Sequence, residues 1–267
     1  MVRAAEKLEG VDMVDVHTHI NETPPNAIWP QNPEAMLEDM DRCGVGLAIF
    51  SHLGAIEALT PETLKAANDN SIKAVREHPR RLRSYLVFHP HHFETSKQQM
   101  KRVLEPDSPF VGFKLHGAFH QYPADGTNYQ PVFQFAHEHR LAVLFHVAGI
   151  GRDWNQSVGD VAVNFPGLNI ILAHLAPGED LLPGLMKGRP NLHVDTCLST
   201  GRRRQIERIA SKIGPERMLF ATDGAYNSVV TGVAKIAFAD VPEDEKRLIF
   251  GGNARRIFGK RLPPPHA

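Results

Sequence analysis

The chain has 267 residues and a mass of 29.7 kDa, and its 30 Lys plus Arg balance 30 Asp plus Glu, so its formal charge is zero with neutral histidines. That balance argues against a polybasic nucleic-acid or membrane-surface protein, and 42% hydrophobic with 22% charged residues describes a globular chain rather than a disordered one. Two cysteines make no multi-disulfide framework, no apolar run approaches the ~20 residues of a membrane span, and residues 1–10 lack a secretory apolar stretch, so a cytoplasmic setting is expected.

Eight short apolar runs rich in Val, Ile, Leu and Phe follow one another along the chain, and each predicts a buried strand. They are Met13–Ile20, Gly44–Leu53, Leu82–Pro90, Val111–Ala118, Ala142–Gly149, Asn169–Ala176, Leu192–Ser199 and Met218–Ala225. Their starts lie 23 to 38 residues apart, the length of one strand plus one returning helix. Between them, amphipathic segments predict helices near Pro33–Cys43, Thr95–Leu104, Pro131–His139, Glu179–Met186, Arg203–Ile213 and Glu243–Phe250, with a short one around Val158–Asn164. Thr60-Pro61-Glu62 supplies an N-cap and first-turn proline for a further helix, which His78-Pro79 ends. Gly251 to Ala254 should break the last helix, with Asn253 capping a final short one.

Eight such units without a linker predict an α/β fold, a single (β/α)8 barrel over residues 1–267 with 260–267 as an extended tail. An open doubly wound sheet is the alternative. A nucleotide-binding version needs a Gly-rich turn after its first strand, and His17-Thr18-His19 stands there instead.

In a barrel the active site lies at the carboxyl ends of the strands. Those ends here carry His17 and His19 on strand one, Lys114 and His116 on strand four, His146 on strand five, His174 on strand six and Asp223 on strand eight. Any one histidine is most simply a hydrogen-bonded or solvated residue, but the ordered set across five strand ends points to a divalent-metal centre. His17 and His19 share a face, so both can chelate one ion. In the loops, Trp29 is a candidate to pack on substrate, and Arg152, with Arg202 to Arg204, to clamp a substrate carboxylate, though each alone fits a solvated loop residue. His52, His89, His91 and His92 are read as outer or solvent-facing groups, His78, His137 and His139 as external, and Cys197 as a packing residue.

Val14-Asp15-Val16-His17-Thr18-His19, Gly112-Phe113-Lys114-Leu115-His116, Leu144-Phe145-His146, Leu172-Ala173-His174, Ala221-Thr222-Asp223 and the terminal Gly252-Asn253-Ala254-Arg255-Arg256-Ile257-Phe258 together carry a family resemblance. Over nearly its whole length the chain resembles the amidohydrolase superfamily, and within it the amidohydrolase 2 branch of metal-dependent hydrolases and aminocarboxymuconate-semialdehyde decarboxylase relatives. The resemblance implies that His17, His19, His146 and Asp223 hold one divalent ion, most often Zn²⁺, with Mn²⁺, Fe²⁺ or Co²⁺ also suited to such ligands. Asp223 and His174 are then the catalytic pair, one moving a proton and the other steadying water or substrate. Lys114 and His116 are expected to bind substrate, with a carboxylated Lys114 bridging two ions as the alternative.

The expected function is a metal-dependent hydrolase that activates water against an amide, lactone or ester carbon of a small, acidic substrate. The alternative is non-oxidative decarboxylation of an aromatic or unsaturated acid, which the branch performs with the same ligand set. A metal-independent lactonase and a catalytically silent binding barrel are the remaining readings. The expected partner is a small molecule, with neither nucleic acid nor membrane, and a homodimer is the default assembly.

Overall fold

The computed structural model describes residues 10–22, 31–146, 154–197 and 202–265, so the candidate substrate residues Trp29 and Arg152 lie outside the described residues. Strands β1 (Val14–Ile20), β2 (Leu47–His52), β3 (Leu82–Val87), β4 (Phe110–His116), β5 (Ala142–His146), β6 (Asn169–Leu172), β7 (Leu192–Asp195) and β8 (Met218–Leu219) pair in parallel with their sequence neighbours. Backbone bonds from Val16 N to Phe220 O (3.1 Å), Asp223 N to His17 O (2.8 Å) and His19 N to Gly224 O (2.8 Å) join the last strand to the first. The result is an eight-stranded parallel barrel. Its strands are buried almost throughout, as continuous apolar runs require when helices cover the outside.

The helices are α1 (Pro33–Cys43), α2 (Leu53–Ile56), α3 (Pro61–Glu77), α4 (Phe93–Gln99), α5 (Gly117–His120), α6 (Gln130–Glu138), α7 (Trp154–Asn164), α8 (Leu182–Met186), α9 (Gln205–Ile213), α10 (Val229–Ala237), α11 (Glu243–Arg247) and α12 (Asn253–Phe258). Local chemistry sets several ends. The Asn32 side chain accepts from Ala35 N to start α1, and Gly44 at φ 76° stops it. Thr60 and Thr63 cap each other at the start of α3.

Three apolar clusters form the core of the described residues, one of them joining Leu53, Ile56, Leu64, Ala67 and Val87 of α2, α3 and β3. Of the other two, the larger lies between strands and helices; the smaller gathers Val14, Leu47, Tyr85, Leu144 and Leu219 and meets Phe258 and Leu262 from the C-terminal segment. A register irregularity between Asp15 and Thr18 interrupts the alternation of β1. Val14 and Val16 therefore join the smaller cluster, while His17 and His19, of opposite parity, reach the site.

Several boundaries differ from the sequence reading. Strands six, seven and eight end early, so His174 and Asp223 sit in turns just beyond β6 and β8. Helix α10 was not among the expected helices, although its buried Val229, Gly232 and Ile236 follow the i, i+3, i+7 spacing of a helix face. The segment Leu248–Gly252 is a π-turn that runs into α12 without a break, and Asn253 does not cap it; its amide donates to Pro215 O and Met218 O, each at 2.8 Å. The extended tail begins later than residue 260, since Leu262 is buried in the smaller cluster.

Candidate metal centre

The parity of β1 sends His17 and His19 to one face, and Asp223 arrives beside them from the turn after β8. His17 Nε2 and His19 Nε2 are 3.2 Å apart, and Asp223 Oδ1 lies 3.2 Å from His19 Nε2 and 3.6 Å from His17 Nε2. Four ligands at the 2.0–2.1 Å usual for such donors around one ion stand about 3.3 Å from each other, so the three atoms have the spacing of ligand atoms around one cation. Two nitrogens and a carboxylate oxygen also match the chemistry of a borderline divalent ion. These three residues fit a metal.

His146 does not join that close group. Its ring stacks on His116, with centroids 4.1 Å apart at 25°, and meets His174 at 4.5 Å. Lys114 is fully buried and its Nζ donates to His17 Nε2 at 2.8 Å, so it faces the centre as expected for strand four. Burial pulls the Lys114 ammonium down to about 8, while Asp223 and Asp195 partly offset that effect. Burial and the Lys114 charge together hold His17 well below the usual imidazole range, and His146 falls to about 3 for the same two reasons. Burial alone would favour the neutral acid at Asp223, but the His19 hydrogen bond and the charges of His17, His19 and His174 outweigh it. The carboxyl therefore stays below the ordinary carboxylate range.

Asp223 and His174 both occupy left-handed backbone, at φ 60° and φ 63°, with Ala225 at φ 79° and Leu175 at φ 52° close by. Such conformations in residues other than glycine cost of the order of 1–3 kcal/mol each and persist where surrounding contacts fix them. Behind Asp223 those contacts are a relay. Asp15 accepts from Thr222 N (3.1 Å) and Thr222 Oγ1 (2.5 Å), Thr222 Oγ1 accepts from Gly224 N (3.0 Å), and Asn227 Nδ2 donates to Asp223 Oδ2 (2.9 Å). Burial lifts the Asp15 carboxyl to about 7, against the Thr222 and backbone hydrogen bonds.

Two residues that sequence reasoning passed over, Asp195 and Tyr226, and one it read as packing, Cys197, complete the surroundings. Asp195 at the end of β7 is fully buried, with Oδ2 2.7 Å from His17 Nδ1. Cys197 is more than packing: its Sγ donates to Asp195 Oδ1 at 2.9 Å and lies 3.3 and 3.4 Å from the Nδ1 atoms of His17 and His174. Tyr226 meets the His19 ring edge-on at 5.5 Å. The available signal was spacing, since Asp195 and Cys197 are two apart at a strand end and so share a face.

The histidines of strands two to four form a separate group. Of the two alternatives for His52 and His89, both are buried and not solvent-facing, and the rings of His92, His89 and His120 pile up with centroids 4.4 and 3.8 Å apart. Nε2 of His91, His92 and His120 meets His120 O, Ala58 O and Ile56 O, which ties the loops after strands two, three and four together. Two clefts open beside the centre. One of 410 Å³ touches His19, Asn32 and Tyr226; the other, of 590 Å³, runs from His174 past Trp154 to Arg202.

A family profile described as Amidohydrolase matches residues 14–260. No functionally curated protein matches the chain by sequence. Among solved structures, a 5-carboxyvanillate decarboxylase from Sphingomonas paucimobilis aligns with a TM-score of 0.72 and 19% identity over 95% of this chain and 100% of the other. A 2,6-dihydroxybenzoate decarboxylase from Rhizobium aligns at 0.74 and 19%, over 93% and 98%. A manganese complex of 5-carboxyvanillate decarboxylase from Novosphingobium aromaticivorans gives 0.76 and 15%, over 93% and 96%. At these identities the likeness is one of fold.

Proposed function

The chain belongs to the amidohydrolase family, and on that premise we propose that it is a metal-dependent, non-oxidative decarboxylase of an aromatic or unsaturated carboxylic acid, rather than the hydrolase first expected. The observation that carries this reading is the charge of the site. The fully buried Lys114 brings an ammonium to the ligand group, 2.8 Å from His17 Nε2, while burial holds His17, His19, His116 and His146 around it neutral and Asp223 and Asp195 are the facing carboxylates. With a divalent ion added the site is an anion receptor, and it suits an acid better than a neutral amide or ester. The decarboxylases of the same fold, two of them named above with manganese or a hydroxylated benzoate, support the same choice.

His17, His19 and Asp223 would hold the ion, with His146, stacked on His116, outside that close group. When bound, the ion supplies a Lewis acid that fixes and polarises substrate oxygens. Lys114 pairs with the substrate carboxylate, and the stacked rings of His116 and His146 wall off water on that side. Asp223, held ionised, cannot be the standing acid. It takes the proton of a substrate hydroxyl conjugated to the ring and returns it to the carbon that bears the carboxylate. The carbon–carbon bond then breaks, its electron pair restores the ring, carbon dioxide leaves, and the phenolate product takes a proton from solvent. His174 steadies the substrate oxygen from the opposite side.

The test is to load the protein with Mn²⁺ or Zn²⁺ and offer carboxyl-labelled hydroxybenzoates and hydroxyisophthalates beside lactones, esters and N-acyl compounds. Release of labelled carbon dioxide, with one solvent deuteron entering the ring in D₂O, is the expected result. Turnover of a lactone, ester or amide without any carbon dioxide would return the reading to hydrolysis.

A further inference from the structure

We infer that Asp195 is a positioning residue that sets both working histidines of the centre through its two oxygens. It accepts through Oδ2 from His17 Nδ1 at 2.7 Å. Through Oδ1 it accepts from His174 N at 2.8 Å, from Cys197 N at 3.2 Å and from Cys197 Sγ at 2.9 Å. A carboxylate only accepts, so His17 must carry its proton on Nδ1 and present the lone pair of Nε2 toward His19, Asp223 and Lys114. The second oxygen meets a different need. His174 lies just past the end of β6 in left-handed backbone, where its N–H has left the sheet ladder, and Asp195 supplies the missing acceptor.

One buried side chain thus determines the tautomer of a histidine from β1 and the backbone of a histidine from the β6 turn. Tautomer and backbone would otherwise be free to vary independently. The inference rests on the metal-centre reading for its consequence, though not for its geometry.

Asp195→Asn is the informative variant, because an amide can accept on one side only. Either orientation sets a donor against His17 Nδ1–H or against His174 N–H, so the site keeps at most one of the two arrangements. The first measurement uses metal-free protein: long-range ¹H–¹⁵N spectra of the imidazoles should place the His17 proton on Nδ1 in the wild type and shift it toward Nε2 in Asp195→Asn. The second is Mn²⁺ and Zn²⁺ affinity by competition with a chelating dye, expected to fall about 10- to 100-fold. Cys197→Ala removes a donor from the same carboxylate but leaves both histidines their acceptor, and it should keep the wild-type tautomer and affinity.

A wild-type His17 protonated on Nε2 would overturn the inference even if the variant does not fold. A folded Asp195→Asn in which neither the His17 tautomer nor the His174 backbone N–H resonance changes would do the same. If the tautomer moves as expected while neither protein binds metal, the role of Asp195 stands and the metal-centre reading fails.

Discussion

Replacing His193 by methionine tests whether buried neutral histidines set the acid limit of this barrel. His193 lies on β7 and is 1% exposed; its Nε2 is 3.4 Å from Asn169 Oδ1, and its Nδ1 has no partner among the described residues. Burial, reinforced by Arg256 and Arg217, depresses it from 6.5 to about 3. Because the folded value is the lower one, the unfolded chain binds the extra proton first as pH falls. The stability that His193 contributes is complete above pH 6.5 and is lost progressively from there down to about 3. At pH 5 the loss amounts to about 2 kcal/mol. With an unfolding entropy of about 2.1 cal/mol/K per residue, that corresponds to about 4 °C in melting temperature for a chain of this length. Methionine is similar in volume and does not titrate, so at pH 7 His193→Met should lie within about 1.5 kcal/mol of wild type. Thermal unfolding of metal-free protein at pH 7, 6 and 5 should then show the variant gaining on wild type by about 4 °C over that range. A difference between the two proteins that stays flat from pH 7 to 5 would refute the argument.

Mn²⁺ or Zn²⁺ at a free concentration 100 times its Kd should raise the wild-type melting temperature by about 5 °C, from about 2.7 kcal/mol of binding linkage, and His19→Gln should abolish the rise. An identical rise in the variant would remove His19 from the centre. Gly112→Ala would place a Cβ 2.2 Å from Ala142 O between β4 and β5, so it should destabilise by about 3 kcal/mol or more and displace Lys114 and His116 with it. Gly184→Ala, in α8 with nothing within 4 Å, should be neutral or gain up to about 1 kcal/mol; chemical denaturation of both variants measures the contrast. Lys114→Met should raise KM for a carboxylic acid substrate about 10- to 100-fold, as expected for losing a charged hydrogen bond, while metal content stays at the wild-type level. Steady-state kinetics with an unchanged KM would exclude Lys114 from carboxylate binding.

Much of the architecture was legible because a barrel strand is buried on both faces. The eight apolar runs therefore declared themselves, and their spacing left room for one helix each. Where a strand end instead turns to present a functional group, the pattern failed. The runs through His174 and Asp223 continue in sequence beyond β6 and β8, yet both residues sit in left-handed turns, because hydrogen bonds from Asp195 and from the Asp15–Thr222 relay hold them there. Helix α10 was missed although Val229, Gly232 and Ile236 recur at helical spacing, because Gly232 inside the segment and the β-branched Val229, Val230, Thr231 and Val233 are weak helix formers.

The sequence by itself determined the class of the site. Histidines two apart on one strand, and further ionisable residues at the ends of later strands, must meet once the strands close into a barrel, whatever the loops do. Only the tertiary structure decided which of them meet closely. It brought His17, His19 and Asp223 together, left His146 stacked on His116, and put Asp195 and Cys197 behind the centre. Those choices depend on the register irregularity in β1 and on side-chain hydrogen bonds between residues as far as 207 positions apart. Such contacts leave no local periodicity in the chain that forms them.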